Sequence, residues 1–260
     1  MNVLCSMAAE GVGLITINRQ DKLNCIDVAT DEALRDAWAW AEETDAIRCI
    51  VLPGAGDRAF CTGADIAEYL PELRRRAQTN TDDGTFGGLT GNWPTRKPII
   101  AAINGLAMGG GLELALACDI RIACVAARFA LPEVRWGVIA GGGGVTRLPR
   151  VIAQSMATEM LLTGNAIDAD AALRLGLVNA VFADRESLMQ GVLEIAARIV
   201  ANAPLAVEQT LDLIRRAPSV PQSEGLALER AAFRGIVGTE DATEGMRAFV
   251  QKRSPVYRGL

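Results

Sequence analysis

At 260 residues with 50% hydrophobic side chains, the chain suffices for one sizeable core plus an appendage. Its 26 Lys and Arg against 31 Asp and Glu give a net charge of -5, so nothing in the overall balance favours nucleic acid. There is no histidine, which excludes Ser-His-Asp and Cys-His nucleophiles, histidine bases and most catalytic zinc sites, and leaves acid–base chemistry to carboxylates, Lys, Tyr or Cys.

Residues 1–10 lack a basic start followed by an apolar core, so no secretory signal is expected and a cytoplasmic location is the default. Residues 11–18 (GVGLITIN) alternate and are rich in β-branched side chains, the pattern of a strand, and 19–22 form a polar turn. A helix over 27–43 places Leu34, Ala37, Trp38 and Ala41 on one face. Residues 49–52 (CIVL) are short and continuously apolar, as in a strand buried on both sides, so strand, helix and strand make a parallel crossover. After a turn at 60–66, Asp65 stands near the start of a helix reaching about residue 77. Residues 78–95 are polar, glycine-rich and without period, and are expected to form a mobile surface loop.

A third buried strand over 98–103 leads to Gly109, Gly110 and Gly111. Asn104 and the glycines interrupt this apolar stretch before it reaches the ~20 residues of a membrane span, so no membrane helix is expected. The glycines stand before strong helix formers at 112–117 and predict a tight turn opening a buried helix. Free backbone N–H groups at such a turn suit a negative group, and Glu113 in the first turn is buried by its neighbours, which demands a partner or a raised pKa. Residues 119–124 read as a fourth strand, and 129–132 run into Glu133. The four-glycine run 141–144 lacks the pattern of a nucleotide-phosphate loop and the acid of a dinucleotide site, which excludes ATP and NAD. Helical period recurs over 151–162, 168–175, 185–202, 206–216, 223–237 and 242–252, with a last strand at 176–182. The six cysteines form no CxxC pair and read as buried free thiols; no metal site is expected.

Several pieces, in this order and spacing, resemble the crotonase superfamily, and within it enoyl-CoA hydratase: Asn18-Arg19 with Lys22-Leu23-Asn24, the 59–66 segment AFCTGADI, the 104–115 segment NGLAMGGGLELA, Cys118-Asp119, Leu131-Pro132-Glu133 and Arg147-Leu148-Pro149. The resemblance implies an α/β fold: a core of repeated ββα turns over residues 1–200, and a helical C-terminal region over 201–260 that mediates trimerisation, often as a dimer of trimers. It also implies an acyl-coenzyme A thioester substrate, with coenzyme A part of the substrate and no separate cofactor. Backbone N–H groups at Ala64 and Gly110 would hold the thioester oxygen. Glu113 would take a proton from water adding at C3, and Glu133 would deliver one to C2. By the same resemblance Lys22, Leu23, Asp65 and Ile66 line the coenzyme A groove, Phe233 and Lys252 reach it from a neighbouring subunit, and Gly141 steadies the catalytic water. Arg19 and Lys252-Arg253 are further candidates for the phosphates, against ordinary solvated charge. Trp136 is bulkier than the family's pattern beside the acyl pocket, which points to a short or unusual acyl group, and Ala140 replaces a proline, which is expected to loosen the 139–147 turn and so to disturb placement of the water. An isomerase acting through the same enolate remains open, as do another acyl-CoA lyase of the superfamily and a non-catalytic acyl-CoA binder; an RNA-binding member would show a lysine-rich helix, and none is present.

Overall fold

The structure is a computed structural model and describes residues 1–79, 85–91 and 95–260. An antiparallel hairpin of β1 (Val3–Ala9) and β2 (Val12–Ile17) is followed by α1 (Val28–Glu43), whose first turn is capped by Asp27 accepting from the Thr30 amide. Three pairs of strands then repeat one pattern: β3 (Cys49–Pro53) with β4 (Ala59–Cys61), β5 (Ile99–Ile103) with β6 (Leu106–Met108), and β7 (Ile120–Cys124) with β8 (Arg128–Ala130). The first member of each pair joins a six-stranded sheet, completed by β10 (Ala180–Phe182), in the order β1-β2-β3-β5-β7-β10. The second joins a four-stranded sheet, completed by β9 (Ile167–Asp168), in the order β4-β6-β8-β9. Within each sheet the three repeated strands are parallel. Helices α2 (Tyr69–Thr79) and α3 (Gly110–Ala117) follow the first two pairs, which gives the expected stack of ββα turns.

β3 and β5 are buried residue by residue because both faces of their sheet are covered. One face looks onto the main core, which holds Trp38, Phe60 and Leu112. On the other face α7 (Arg185–Val200) lays Leu188, Val192 and Ala196 against Val12, Val51 and Ile100. The turns between paired strands carry polar backbone into the interior, and two asparagines satisfy it. Asn104 accepts from the Gly54 amide at 3.1 Å and donates to the carbonyls of Gly56 at 2.6 Å and Ala59 at 3.1 Å. Asn24, held at a left-handed φ of 56, donates to Ala55 and Ala59. Asn104→Ala should therefore lower unfolding free energy by about 3 kcal/mol, since each buried group left without a partner costs ~1–3 kcal/mol. A urea titration at fixed protein concentration reads this, and an unchanged midpoint would show that the turns hold themselves.

The structure departs from the sequence reading in several places. β1 was not anticipated, because as an edge strand it keeps most of its residues exposed and shows no clean alternation. β4 and β6 have three residues each, too few for any periodicity to register. α2 begins at Tyr69, after a turn in which the Asp65 carbonyl accepts from the Glu68 and Tyr69 amides. The glycine run opens a helix, α4 (Gly144–Val151), despite Pro149 within it. The expectation of a mobile surface loop is overturned for residues 85–91. Phe86 and Leu89 are buried, the Trp38 ring N–H donates to the Gly87 carbonyl at 2.8 Å, and the Gly87 amide donates to Asp31 at 2.6 Å. The parts of that segment at 80–84 and 92–94 lie outside the described residues.

After α4 come α5 (Gln154–Thr163), α6 (Ala169–Arg174) and, beyond α7, α8 (Pro204–Arg216), α9 (Gln222–Ile236) and α10 (Glu240–Gln251). Buried Asp241 accepts from the Arg258 and Gly259 amides, both at 2.7 Å, and so folds the chain end back on α10. Among the described residues no helix is long and apolar enough to cross a membrane. The cysteines are free; Cys49, Cys61, Cys118 and Cys124 are buried, Cys25 is half-buried and Cys5 is exposed.

Candidate active site

The parallel strands β4, β6 and β8 run side by side and end together, so the three segments leaving them meet at one end of the sheet. β4 leads into Thr62-Gly63-Ala64, β6 into Gly109-Gly110 and α3, and β8 into Leu131-Pro132-Glu133. The register puts Met108 beside Ala130, and the Gly109 amide donates to the Ala130 carbonyl at 2.9 Å. Beside it, Gly63 sits at a φ of 90, and a Cβ there would stand 3.0 Å from the Gly110 nitrogen. The two turns are therefore packed backbone to backbone, and only glycine fits at 63. Neither the Ala64 nor the Gly110 amide has an acceptor among the described residues. Both line a cavity of about 350 Å³. Two free N–H groups on one cavity, one of them opening a helix, suit an oxyanion.

Glu113 and Glu133 line the same cavity. Glu113 is 4% exposed, and its Oε1 accepts from the Gly144 amide at 2.8 Å. Burial pushes its carboxyl up to about 7, against the lowering effect of the Gly144 and Gly142 amides, with the nearby Glu133 raising it further. Desolvation thus outweighs both amides at the Glu113 carboxyl. Glu133 opens a single 3-10 turn, Glu133–Trp136, and its Oε1 lies over the start of α3, 3.1 Å from where a Cβ on Gly109 would be. Its Oε2 is buried with no partner among the described residues, and burial raises its pKa as well. Two desolvated carboxyls that interact cannot both ionise easily, so the pair retains a proton near neutral pH. One acid and one base then face one cavity.

The remaining sequence-predicted residues fall into two groups. Ile66, Trp136 and Gly141 line the cavity, Trp136 as an open wall 68% exposed. Lys22, Leu23 and Asp65 do not line it. They lie on segments tied to its rim, where the Thr62 hydroxyl donates to the Leu23 carbonyl at 3.2 Å and Ile26 bridges to Ala64. Asp65 is engaged by Arg19 at 3.5 Å, and Arg19 also pairs with Asp27 at 2.7 Å. Phe233 on α9 and Lys252 at the end of α10 are exposed and line no part of the cavity in one protomer. Tyr69, Phe86 and Val138 also form walls, and sequence reasoning missed them. Phe86, a lone aromatic within a glycine-rich stretch, was the available signal; it packs edge-on against Tyr69 with ring centres 5.4 Å apart. The turn without its proline is tied at three points: Gly144 to Glu113, and Arg147 to the carbonyls of Gly142 at 3.1 Å and Thr90 at 2.8 Å.

A family model described as enoyl-CoA hydratase/isomerase matches residues 7–259. The chain belongs to the enoyl-CoA hydratase/isomerase family. Within this family it is 40% identical to an (E)-benzylidenesuccinyl-CoA hydratase of Thauera aromatica, over 95% of this chain and 96% of that protein. It is likewise 40% identical to a short-chain-enoyl-CoA hydratase of Clostridium acetobutylicum, over 93% and 92% of the two chains. Among solved structures, an enoyl-CoA hydratase from Bacillus anthracis superposes over the whole of both chains with a TM-score of 0.90 at 35% identity. One from Mycobacterium tuberculosis gives 0.89 at 34% identity, covering 100% of this chain and 99% of that one.

Proposed function

We propose that this protein is an enoyl-CoA hydratase that adds water reversibly, and on one face, to a trans-2-enoyl-CoA to give a 3-hydroxyacyl-CoA. The observation that carries the reading is the meeting of two desolvated carboxyls and two acceptor-free amides in one cavity. The amides of Ala64 and Gly110 hold the thioester oxygen, where negative charge accumulates as the enolate forms; one such donor is worth ~3 kcal/mol in the transition state. A water between the two glutamates is the nucleophile. As its oxygen bonds to C3, Glu113 takes its proton and the double-bond pair moves into the enolate. The enolate then takes the proton of Glu133 at C2, and a proton passes between the two acids to restore the pair. A carboxylate with a pKa near 7 is a base matched to neutral pH. Coenzyme A arrives with the substrate, and the chemistry needs no other cofactor.

The same reading makes 201–260 an oligomerisation region, in a homotrimer or a dimer of trimers. Its support is the apolar surface that α9 and α10 leave uncovered, including Phe233, Met246, Phe249 and Val250. Phe233 and Lys252 of a neighbour would then complete the nucleotide end of the groove beside Lys22 and Leu23. Purified protein mixed with crotonyl-CoA should remove the conjugated-enoyl absorbance and place solvent oxygen at C3. No loss of absorbance with any straight-chain enoyl-CoA would remove the reading. Migration of a 3-enoyl double bond without water uptake would replace it with an isomerase.

A further inference from the structure

Beside the catalytic cavity lies a second one, also of about 350 Å³, between the 133–140 segment, α4 and α5. Glu133 and Ile139 belong to the walls of both cavities. The Glu133 carboxyl is directed at the start of α3, so Ile139, 72% exposed and not packed into the core, is the apolar part of the partition. The second cavity is largely aliphatic, with Leu161 and Leu162 on its far side; among the described residues Gln154 and Thr158 are its only polar lining residues besides Glu133. Among the described residues, neither cavity has a Lys or Arg in its wall.

We propose that this second cavity binds the distal end of the acyl group, so that the preferred substrates carry uncharged, apolar acyl chains longer than four carbons. The inference rests on the hydratase reading for what fills the first cavity. With C1 at the amides and C2 and C3 between the carboxyls, an acyl chain continuing past Glu133 would cross the wall the two cavities share and meet the aliphatic side chains of the second. Each methylene moved from water into an apolar site strengthens binding about fourfold, so four further carbons are worth up to ~10². A carboxylate at the chain end would instead meet aliphatic side chains and the two glutamates without a compensating cation, which opposes its burial.

The test compares kcat/KM for four-carbon and eight-carbon trans-2-enoyl-CoAs and for the eight-carbon chain ending in a carboxylate. Calorimetric affinities for butanoyl- and octanoyl-CoA are measured beside them. The eight-carbon substrate should be preferred by roughly tenfold or more, and the terminal carboxylate should abolish that preference. Thr158→Trp, an exposed α5 position whose new ring would fill the cavity, should lower the eight-to-four preference by about tenfold in both rate and binding, whereas Ile139→Ala should raise it. A preference unmoved by both variants, or a carboxylate-ended chain accepted equally, overturns the inference. Hydration that persists with an unmoved preference removes this inference and leaves the hydratase; absent hydration with octanoyl-CoA binding selectively weakened by Thr158→Trp does the reverse.

Discussion

Glu113→Gln and Glu133→Gln are each expected to lower kcat by about 10³, within the ~10²–10⁴ that a positioned acid or base contributes, while KM changes little. Both substitutions keep the shape of the side chain, and at position 113 the amide oxygen can still accept from the Gly144 N–H. What is lost is the capacity to carry a proton. In the proposed mechanism the two carboxyls serve one water, so the double variant should be little worse than either single one. Steady-state hydration of crotonyl-CoA reads all three, and either single variant retaining more than about a tenth of the activity would exclude that residue from proton transfer.

The same Glu113→Gln variant carries an opposite effect on stability, and its sign follows from the pKa. The native carboxyl titrates near 7, above its ordinary 4.5, so between these values the native state holds more of the proton than the unfolded chain does. Stability therefore falls as pH rises through that window, and the deficit is complete above pH ~7, at about 3 kcal/mol. Glutamine removes it. At pH 8 the variant should unfold at higher denaturant than the parent, and near pH 4.5 the gain should vanish. A gain that does not depend on pH would mean that the parent carboxyl is not held protonated.

Gly63→Ala should reduce kcat by about 10²–10³ without removing a single functional side chain. Its new methyl would stand 3.0 Å from the Gly110 nitrogen and 3.1 Å from the Met108 carbonyl, at a φ of 90 that alanine rarely adopts. The two amide-bearing turns must then separate by a few tenths of an ångström, and the donors proposed at Ala64 and Gly110 would no longer meet on one oxygen. Acetoacetyl-CoA, which binds as an enolate, separates this from general damage. Its affinity should fall far more than that of butanoyl-CoA, whose neutral carbonyl asks less of the donors. Equal losses for both ligands would assign Gly63 a purely structural part.

The features legible before folding were those imposed locally. A glycine triplet before helix formers requires a turn with a special backbone and free amides, and Asn104 next to Gly105 marks a strand end wherever it lies. The uninterrupted apolar runs at 49–52 and 99–103 identified strands covered on both faces, and both are buried throughout. The three-residue strands β4, β6 and β8 carried too little pattern to be placed. Yet they lead into every group proposed to react, because only pairing along the sheet brings their ends together.

By itself, then, the amino-acid sequence determined the chemistry available: carboxylates without histidine, and backbone amides at two glycine turns. Tertiary structure decided the state of those groups. The Glu113 carboxyl is held near 7 because residues brought around it in space exclude water, against the lowering pull of the Gly142 and Gly144 amides some thirty positions on, and no local pattern reports burial of that kind. Likewise residues 85–91 look like solvated loop but are fixed by Asp31, Trp38 and Arg147, whose contacts with them exist only once the ββα turns have stacked. Burial and pairing across long separations are collective properties of the folded chain, and they are what raise the pKa of two ordinary glutamates beside one cavity.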